Sequence, residues 1–152
     1  MARGKLIEDE LTRSVIGAFY EVYKELGFGF LEHPYTLALE RELAARGHAV
    51  IREFPATIKY KGVDLCDLRL DLVVDNLVIL EIKSSTLLPP TAIRQLHGYL
   101  SATDFEIGLV LHFGPEAKFY RRILTNDTKR KNRNYGSPDL ARIDTDLAES
   151  HG

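Results

Sequence analysis

From its start to Gly47 the chain carries a helical pattern of apolar positions. Apolar side chains recur every three or four residues, the spacing of one helix face, at Leu11, Val15, Phe19, Val22 and Leu26. The spacing predicts an amphipathic helix from about Ile7 to Leu26, with Gly27 as a left-handed C-terminal cap. A second helix is expected between Pro34, which suits a first helical turn, and Gly47.

The pattern then changes to that of strands. We expect strands at His48–Tyr60 and Val63–Val74, joined by a turn at Lys61-Gly62. A third strand, Leu77–Lys83, follows the Asp75-Asn76 dipeptide, which closes a hairpin.

The chain returns to a helix before its last two strands. Thr91 can cap a helix that continues to Ala102. The nearly continuous apolar run Ile107–Phe113 predicts a strand buried on both faces after a helical crossover, and Lys118–Leu124 predicts a strand beside it. The order of helix, helix, three strands, helix and two strands predicts an α/β domain.

Composition limits the class of protein. The chain has 152 residues, of which 45% are hydrophobic and 28% charged, as expected for one globular domain, which we place at residues 1–124. The single cysteine, Cys66, cannot form an intrachain disulfide, and the start Met1–Lys5 leads into charged residues. No apolar run approaches the ~20 residues of a membrane span. We expect a reduced, cytoplasmic protein that does not enter a membrane.

Charge is distributed unevenly, although the net charge of −2 gives no global sign of nucleic-acid binding. A basic arm lies between residues 118 and 133 and precedes an acidic tail. The arm is either a phosphate-binding surface, with Arg121 and Arg122 as candidate substrate contacts, or a solvated charged terminus. We predict that residues 125–152 form a polar, flexible tail. The basic residues of the arm are Lys118, Arg121, Arg122, Lys129, Arg130, Lys131 and Arg133.

Three charged residues stand in two otherwise apolar strands: Asp71, Glu81 and Lys83. A carboxylate taken out of water needs a partner or a metal to offset its lost hydration. Two carboxylates can hold Mg²⁺ or Mn²⁺, and a lysine can orient an attacking water or stabilise a phosphorane-like transition state. The alternative is that Glu81 and Lys83 form an exposed pair at a strand end while Asp71 is a solvated edge residue.

The hairpin decides whether these groups meet. Glu81 and Lys83 share one face of their strand, and Leu80 points to the other. A two-residue Asp75-Asn76 turn would pair Asp71 with Leu80, on the wrong face, whereas a three-residue loop or one bulge pairs Asp71 with Glu81. The site therefore requires an irregular hairpin.

The arrangement of Asp71 and Glu81-x-Lys83 resembles the PD-(D/E)XK nuclease superfamily. Gly29-Phe30-Leu31-Glu32-His33-Pro34-Tyr35 is similar to the GxxExxY signature of one family within it. The resemblance extends from the first helix to about Ile123. It implies a restriction-endonuclease-like core, in which a central mixed β-sheet is flanked by α-helices.

The resemblance also implies roles. Asp71 and Glu81 would be metal ligands, Lys83 the catalytic lysine, and Glu32 a further acidic residue that reaches the metal. Two features depart from the pattern: no proline precedes Asp71, and Pro34 lies inside the GxxExxY segment, where it can hold Glu32 before the helix. Glu32 is then either catalytic or a favourable acid at a helix N-terminus.

Gln95 and Tyr99 resemble the Gln-x-x-x-Tyr helix motif of RecB-like exonuclease branches. Four residues apart, they lie on one helix face and could reach the substrate or Lys83 together. Tyr35 is expected to pack in the second helix. His97 and His112 lack a metal-ligand partner at useful spacing, so the sequence gives no support for a zinc site.

These expectations lead to two function hypotheses. The first is a Mg²⁺- or Mn²⁺-dependent nuclease that hydrolyses phosphodiester bonds in nucleic acid, with DNA favoured over RNA. The second is a catalytically silent nucleic-acid-binding or assembly module on the same fold. In either case the chain could form a homodimer, because 152 residues offer little surface for a duplex.

Overall fold

The computed structural model describes residues 2–135, in which a five-stranded mixed sheet is flanked by helices. This is the α/β architecture that the sequence predicts. The elements, in chain order, are α1 (Ala2–Leu26), α2 (Glu32–Ala45), β1 (Val50–Tyr60), β2 (Val63–Val74), β3 (Val78–Ser84), α3 (Thr91–Ala102), β4 (Ile107–Phe113), β5 (Ala117–Ile123) and α4 (Asn126–Tyr135).

The strands lie in the sheet in the order of the chain, β1-β2-β3-β4-β5. Neighbours pair antiparallel except β3 and β4, which are parallel and are connected through α3. All seven residues of β4 are buried, as its continuous apolar run predicts. The crossover helix α3 covers one face of β4, and α1 and α2 cover the other, which explains that burial.

The core has two parts, one on each face of the sheet. Helices α1 and α2 cover one face, where the largest side chains are Phe19, Tyr35 and Phe113. Helix α3 covers the other face with Ile93, Leu96 and Leu100, which pack against Ile79, Val110 and other residues of the sheet. The apolar stripes read from the sequence are therefore the faces that are buried.

Helix ends agree with the sequence in part. The N–H of Gly27 donates to the carbonyl of Tyr23 at 2.7 Å, and Gly27 has φ +69°, so the predicted cap is confirmed. Helix α1 begins at Ala2, five residues before the predicted Ile7. The prediction that Thr91 caps α3 is wrong, because the cap position is Pro90 and Thr91 is the first helical residue.

The polar segment after Leu124 differs from the predicted flexible tail over its first part. Residues Asn126–Tyr135 form α4. Lys129 is only 5% exposed, and its ammonium donates to the carbonyls of Thr103 at 2.9 Å and Phe105 at 2.6 Å. These charge-assisted bonds attach α4 to the loop after α3. The rest of the predicted tail, residues 136–152, lies outside the described residues.

Within residues 2–135, helix length and apolarity together nowhere reach what a membrane crossing requires.

Candidate active site

The hairpin between β2 and β3 has the irregular register that the site requires. Val74 pairs with Val78, and Leu72 with Leu80, so the loop between the strands has three residues, Asp75 to Leu77. The same register, continued by one residue, places Asp71 opposite Glu81. Of the two irregular connections that would align the site, a three-residue loop or one bulge, the structure has the three-residue loop, and Asp71 and Glu81 lie on the same face of the sheet.

The Asp75 side chain holds this loop in place. Its Oδ1 accepts the N–H of Ala49 at 2.8 Å, and its Oδ2 lies 2.7 Å from Nδ1 of His48. Nε2 of His48 lies 2.7 Å from the hydroxyl of Ser14 on α1. Asp75 and Asn76 both have positive φ, near +50°, a conformation that Asp and Asn tolerate better than most residues. The sequence did not predict these bonds of Asp75, although an Asp-Asn dipeptide is typical of such a turn.

Asp71 lies where β2 and β3 separate. Their ladder ends at Leu72 and Leu80, and beyond it the Asp71 carboxylate accepts the N–H of Ile82 at 2.8 Å. A side chain thus replaces the backbone acceptor that β2 would otherwise offer. The separation leaves Asp71 half-buried at a cleft between the strands.

Glu81 is the most deeply buried acid in this cleft, at 4% exposure. Its Oε2 has no hydrogen-bond partner among residues 2–135, and its Oε1 lies 3.7 Å from the Lys83 ammonium. Burial raises the pKa of Glu81 to about 9, helped by the nearby charge of Asp71 and opposed by Lys83. A buried carboxyl with an unused oxygen is a group that a cation would stabilise in its charged form.

Lys83, on β3, is hydrogen-bonded to α3. Its ammonium donates to Oε1 of Gln95 at 3.0 Å, and Nε2 of Gln95 donates to the Tyr99 hydroxyl at 2.8 Å. Burial is the main cause that raises the pKa of Tyr99 to about 12, so its phenol is neutral at pH 7 and keeps its proton to donate. The structure therefore brings the i, i+4 pair of α3 to the lysine.

The loop that leads into Glu32, the first residue of α2, is held by hydrogen bonds. The Tyr35 hydroxyl donates to the carbonyl of Gly27 at 2.5 Å and accepts the N–H of Phe30 at 3.3 Å. The Ser84 hydroxyl, next to Lys83 in β3, donates to the Phe30 carbonyl. Tyr35 is fully buried, which confirms its predicted packing role, and it also fastens the loop to the body of the protein.

Glu32 itself lies beside Asp71. The two acids line the same small cavity of about 180 Å³, together with Arg52 and Glu53. The charge of Glu32 is close enough to raise the pKa of Glu81 further. Glu32 is the first residue of α2, so Pro34 does not hold it before the helix. Its exposed side chain keeps both predicted roles available, that of a ligand and that of a helix-terminal acid.

A family model described as "PD-(D/E)XK nuclease superfamily" matches residues 9–123, which contain every element that builds this cleft. The chain belongs to the PD-(D/E)XK nuclease superfamily. A solved structure named "Crystal structure of SSO0001" is 24% identical, with a TM-score of 0.48 over 75% of this chain and 54% of the other. The chain thus spans about half the length of that protein. The search of curated proteins found no match.

The carboxylates of this PD-(D/E)XK chain suit a divalent cation. Asp71 and Glu81 offer oxygen donors, and the Oε2 of Glu81 finds no partner in the part of the chain that the structure describes. Over residues 2–135, however, no group of three or more His, Cys, Asp or Glu side chains is arranged to hold a metal ion. The fit therefore rests on two carboxylates, with water and substrate oxygens as the remaining ligands that Mg²⁺ commonly keeps.

The two arginines predicted to contact substrate lie away from the PD-(D/E)XK cleft. Arg121 pairs with Leu109 across the sheet and bonds Asp9 of α1 at 3.3 Å, on the face opposite α3. Arg122 is 3% exposed and lies 3.4 Å from Nδ1 of His97. The structure therefore does not bring either side chain to the carboxylates. A burial of this depth is not visible in a run of basic residues.

Proposed function

We propose that the chain is a metal-dependent nuclease that hydrolyses phosphodiester bonds, with DNA as its substrate in preference to RNA. The observation that carries the proposal is the Glu81 carboxyl beside Asp71 and Lys83, which is 4% exposed and has one oxygen without a partner within residues 2–135. An apolar side chain would serve stability better at such a position, because burying a carboxyl is costly. A catalytic cleft accounts for it.

The acidic residues and the lysine would have different roles. Asp71 and Glu81 would hold Mg²⁺ or Mn²⁺, which when bound supplies positive charge for the phosphate and for an attacking water. The Lys83 ammonium then orients the nucleophile or stabilises charge on the phosphoryl oxygens. Its compact charge is kept in place by Gln95, whose amide oxygen lies 3.0 Å away.

The proposal extends to the finer family. Within the PD-(D/E)XK superfamily, the loop geometry supports a place in the GxxExxY family: Tyr35 fastens the loop, and Glu32 projects beside Asp71 from the start of α2. Glu32 would then add negative charge next to the cation. Tyr99 would donate from its neutral phenol to a substrate oxygen.

Cleavage of labelled DNA and RNA tests the proposal. Wild type and Lys83→Ala are incubated with each substrate in Mg²⁺, in Mn²⁺ and in EDTA, with Lys24→Ala on α1 as a control for loss of an exposed lysine. We expect wild type and Lys24→Ala to cut DNA only with metal. We expect Lys83→Ala to lose at least about a hundredfold in rate, as for other groups that stabilise transition-state charge. Equal cleavage by wild type and Lys83→Ala would contradict the role of the lysine.

A silent binding or assembly module is the second candidate. It is favoured by the absence of a three-ligand metal group among residues 2–135. The same samples distinguish the two: nucleic acid bound by wild type in every buffer, and cut in none, supports the silent module. A homodimer is proposed for either function, and light scattering of the full chain measures it.

A further inference from the structure

A groove separate from the carboxylate cleft lies between the β1–β2 hairpin and helices α3 and α4. Its volume is about 730 Å³. Neither Glu81 nor Lys83 lines it. The lining residues are Thr57, Ile58, Lys59, Lys61, Gly62, Gly98, Ser101, Ala102 and Arg133.

Three cations from different elements converge on this groove. Lys59 belongs to β1, Lys61 to the β1–β2 turn, and Arg133 to α4. Lys59 has an acidic neighbour, Asp64, at 3.4 Å, but both side chains are about two-thirds exposed. Such a surface pair is weak, so a phosphate can replace the carboxylate at little cost. Three cations thus stand against Asp64 and Asp67, the latter accepting from the Thr57 hydroxyl at 3.1 Å, in a chain whose net charge is −2.

The α3 wall of the groove is made of small residues. A Cβ added at Gly98 would meet no atom within 4 Å, so the helix backbone is open to an incoming chain there. Gly98 lies three residues after Gln95, and Ser101 lies six residues after Gln95. Gly98 and Ser101 are therefore ~4.5 and ~9 Å further along the helix axis than Gln95. One helix therefore connects the residue that holds Lys83 with the cationic groove.

An exposed aromatic ring neighbours one of the cations that line the groove. Tyr60 lies between the two lysines in sequence and is 58% exposed. The Lys61 ammonium lies 5.4 Å from the centre of its ring. Proteins bind unpaired nucleotides with cations placed along the phosphate backbone and with exposed aromatic rings on which the bases stack.

We infer that this groove binds a single-stranded segment of nucleic acid, with phosphates on Lys59, Lys61 and Arg133 and a base stacked on Tyr60. The segment would continue along α3 from the strand whose phosphate lies at Asp71 and Glu81. This last step rests on the proposed nuclease function, whereas the binding itself does not. A stacking ring favours an unpaired strand over a duplex, whose bases are already stacked.

Fluorescence anisotropy tests the groove without catalysis. The probe is fluorescein-labelled oligo(dT) of about 15 nucleotides, titrated with the full chain in EDTA over a range of salt. We expect Lys59→Ala/Lys61→Ala to weaken binding about tenfold at low salt and to reduce the slope of log K against log salt by about 1.4, the value for two lost phosphate contacts on a single strand. The double variant Arg13→Ala/Lys24→Ala, on α1, removes the same charge elsewhere and should bind more nearly as wild type does.

Two further substitutions test geometry rather than charge. Tyr60→Ala should weaken binding about fivefold or more, and Tyr60→Phe should restore it. Gly98→Leu fills the groove, whereas Gly98→Ala adds one methyl group to the same helix position. We expect Gly98→Leu to bind more weakly than Gly98→Ala, with circular dichroism verifying that both are folded.

The outcomes are separable from those of the nuclease assay. Reduced affinity and salt slope in Lys59→Ala/Lys61→Ala support the groove even if wild type cuts nothing. The inference is overturned if wild type does not bind the oligonucleotide, or if this variant matches wild type in affinity and slope. It is also overturned if a duplex of equal length binds more tightly than the single strand.

Discussion

The carboxylate of Asp71 accepts the backbone N–H of Ile82 at 2.8 Å, across the point where β2 and β3 separate. One side chain therefore completes the sheet and forms half of an acidic pair with Glu81. The bond fixes the Asp71 carboxylate relative to β3. Its structural role at Ile82 and its proposed role as a metal ligand can be separated by mutation.

Asp71→Asn keeps an oxygen for the Ile82 N–H but removes the charge. We expect it to fold with near-wild-type stability and to lose about a hundredfold or more in cleavage rate, because the amide is a poorer ligand for a hard cation. Asp71→Ala also removes the acceptor, and should cost roughly 1–3 kcal/mol in the free energy of unfolding. Urea denaturation and cleavage kinetics measure the two effects. Equal stability of the Asn and Ala variants would show that the bond to Ile82 contributes little.

Glu81 should make stability depend on pH. Its pKa is raised from 4.5 to about 9 in the folded chain, so between these values the folded state binds more protons than the unfolded state. The free energy of unfolding should therefore fall as pH rises through this window, and the penalty is absent below about pH 4.5. Glu81→Gln cannot ionise. We expect its stability to exceed that of wild type at about pH 8 and the advantage to shrink towards about pH 5.

Urea denaturation in EDTA across this range measures the Glu81 effect. Curves of stability against pH that run parallel for wild type and Glu81→Gln would contradict the raised pKa. Added Mg²⁺ provides a second comparison, because a cation at Glu81 favours the charged carboxylate. It should reduce the difference between wild type and Glu81→Gln at the alkaline end.

Gln95 should act by positioning Lys83. Its amide oxygen holds the ammonium and its amide nitrogen reaches Tyr99. Losing a residue that orients a catalytic group commonly costs about tenfold to a hundredfold. We expect Gln95→Ala to lower kcat by that amount with a smaller change in KM. Arg94→Ala, an exposed neighbour on α3, is the control, and a Gln95→Ala defect confined to KM would instead indicate a substrate contact.

Asp75 should set the hairpin register. Asp75→Ala loses the bonds to Ala49 and His48 and places a residue without a polar side chain at positive φ. We expect it to lower the free energy of unfolding by about 2 kcal/mol or more and to reduce cleavage as Asp71 and Glu81 lose alignment. Asp75→Asn retains an oxygen and tolerates the backbone, so it should lose less in both assays. Similar losses for Asn and Ala would contradict this account.

Much of the fold could be predicted from local pattern. The bounds of β2, α3 and β4 agree with the periodicity of their apolar residues, because burial of one face or of both is written into residue spacing. Helix α4, which follows the last strand, could not be predicted in this way. It carries few apolar residues and is attached by polar bonds, those of the buried Lys129 to two carbonyls and those of Asn126 to Glu106 and Asp104, which no periodicity reveals.

The basic arm also shows what residue spacing cannot predict, namely which charged side chains lie at a site. Sequence alone treats Arg121, Arg122 and Arg133 as equivalent positive charges. In the fold, Arg121 and Arg122 point to opposite faces of β5, with partners on α1 and near α3, while Arg133 lines a groove. Alternation along a strand separates neighbours, and only the packed structure decides which of them faces open space.

The sequence by itself determined the type of fold, the superfamily and the charged residues of the cleft, because strand periodicity and the Asp71, Glu81-x-Lys83 spacing are local properties of the chain. It also showed that these residues could meet only through an irregular hairpin. The tertiary structure decided that they do meet. The reason is non-local: contacts from His48 and Ala49 hold Asp75 in a three-residue loop, and a one-residue change in that loop would turn Asp71 to the other face of the sheet.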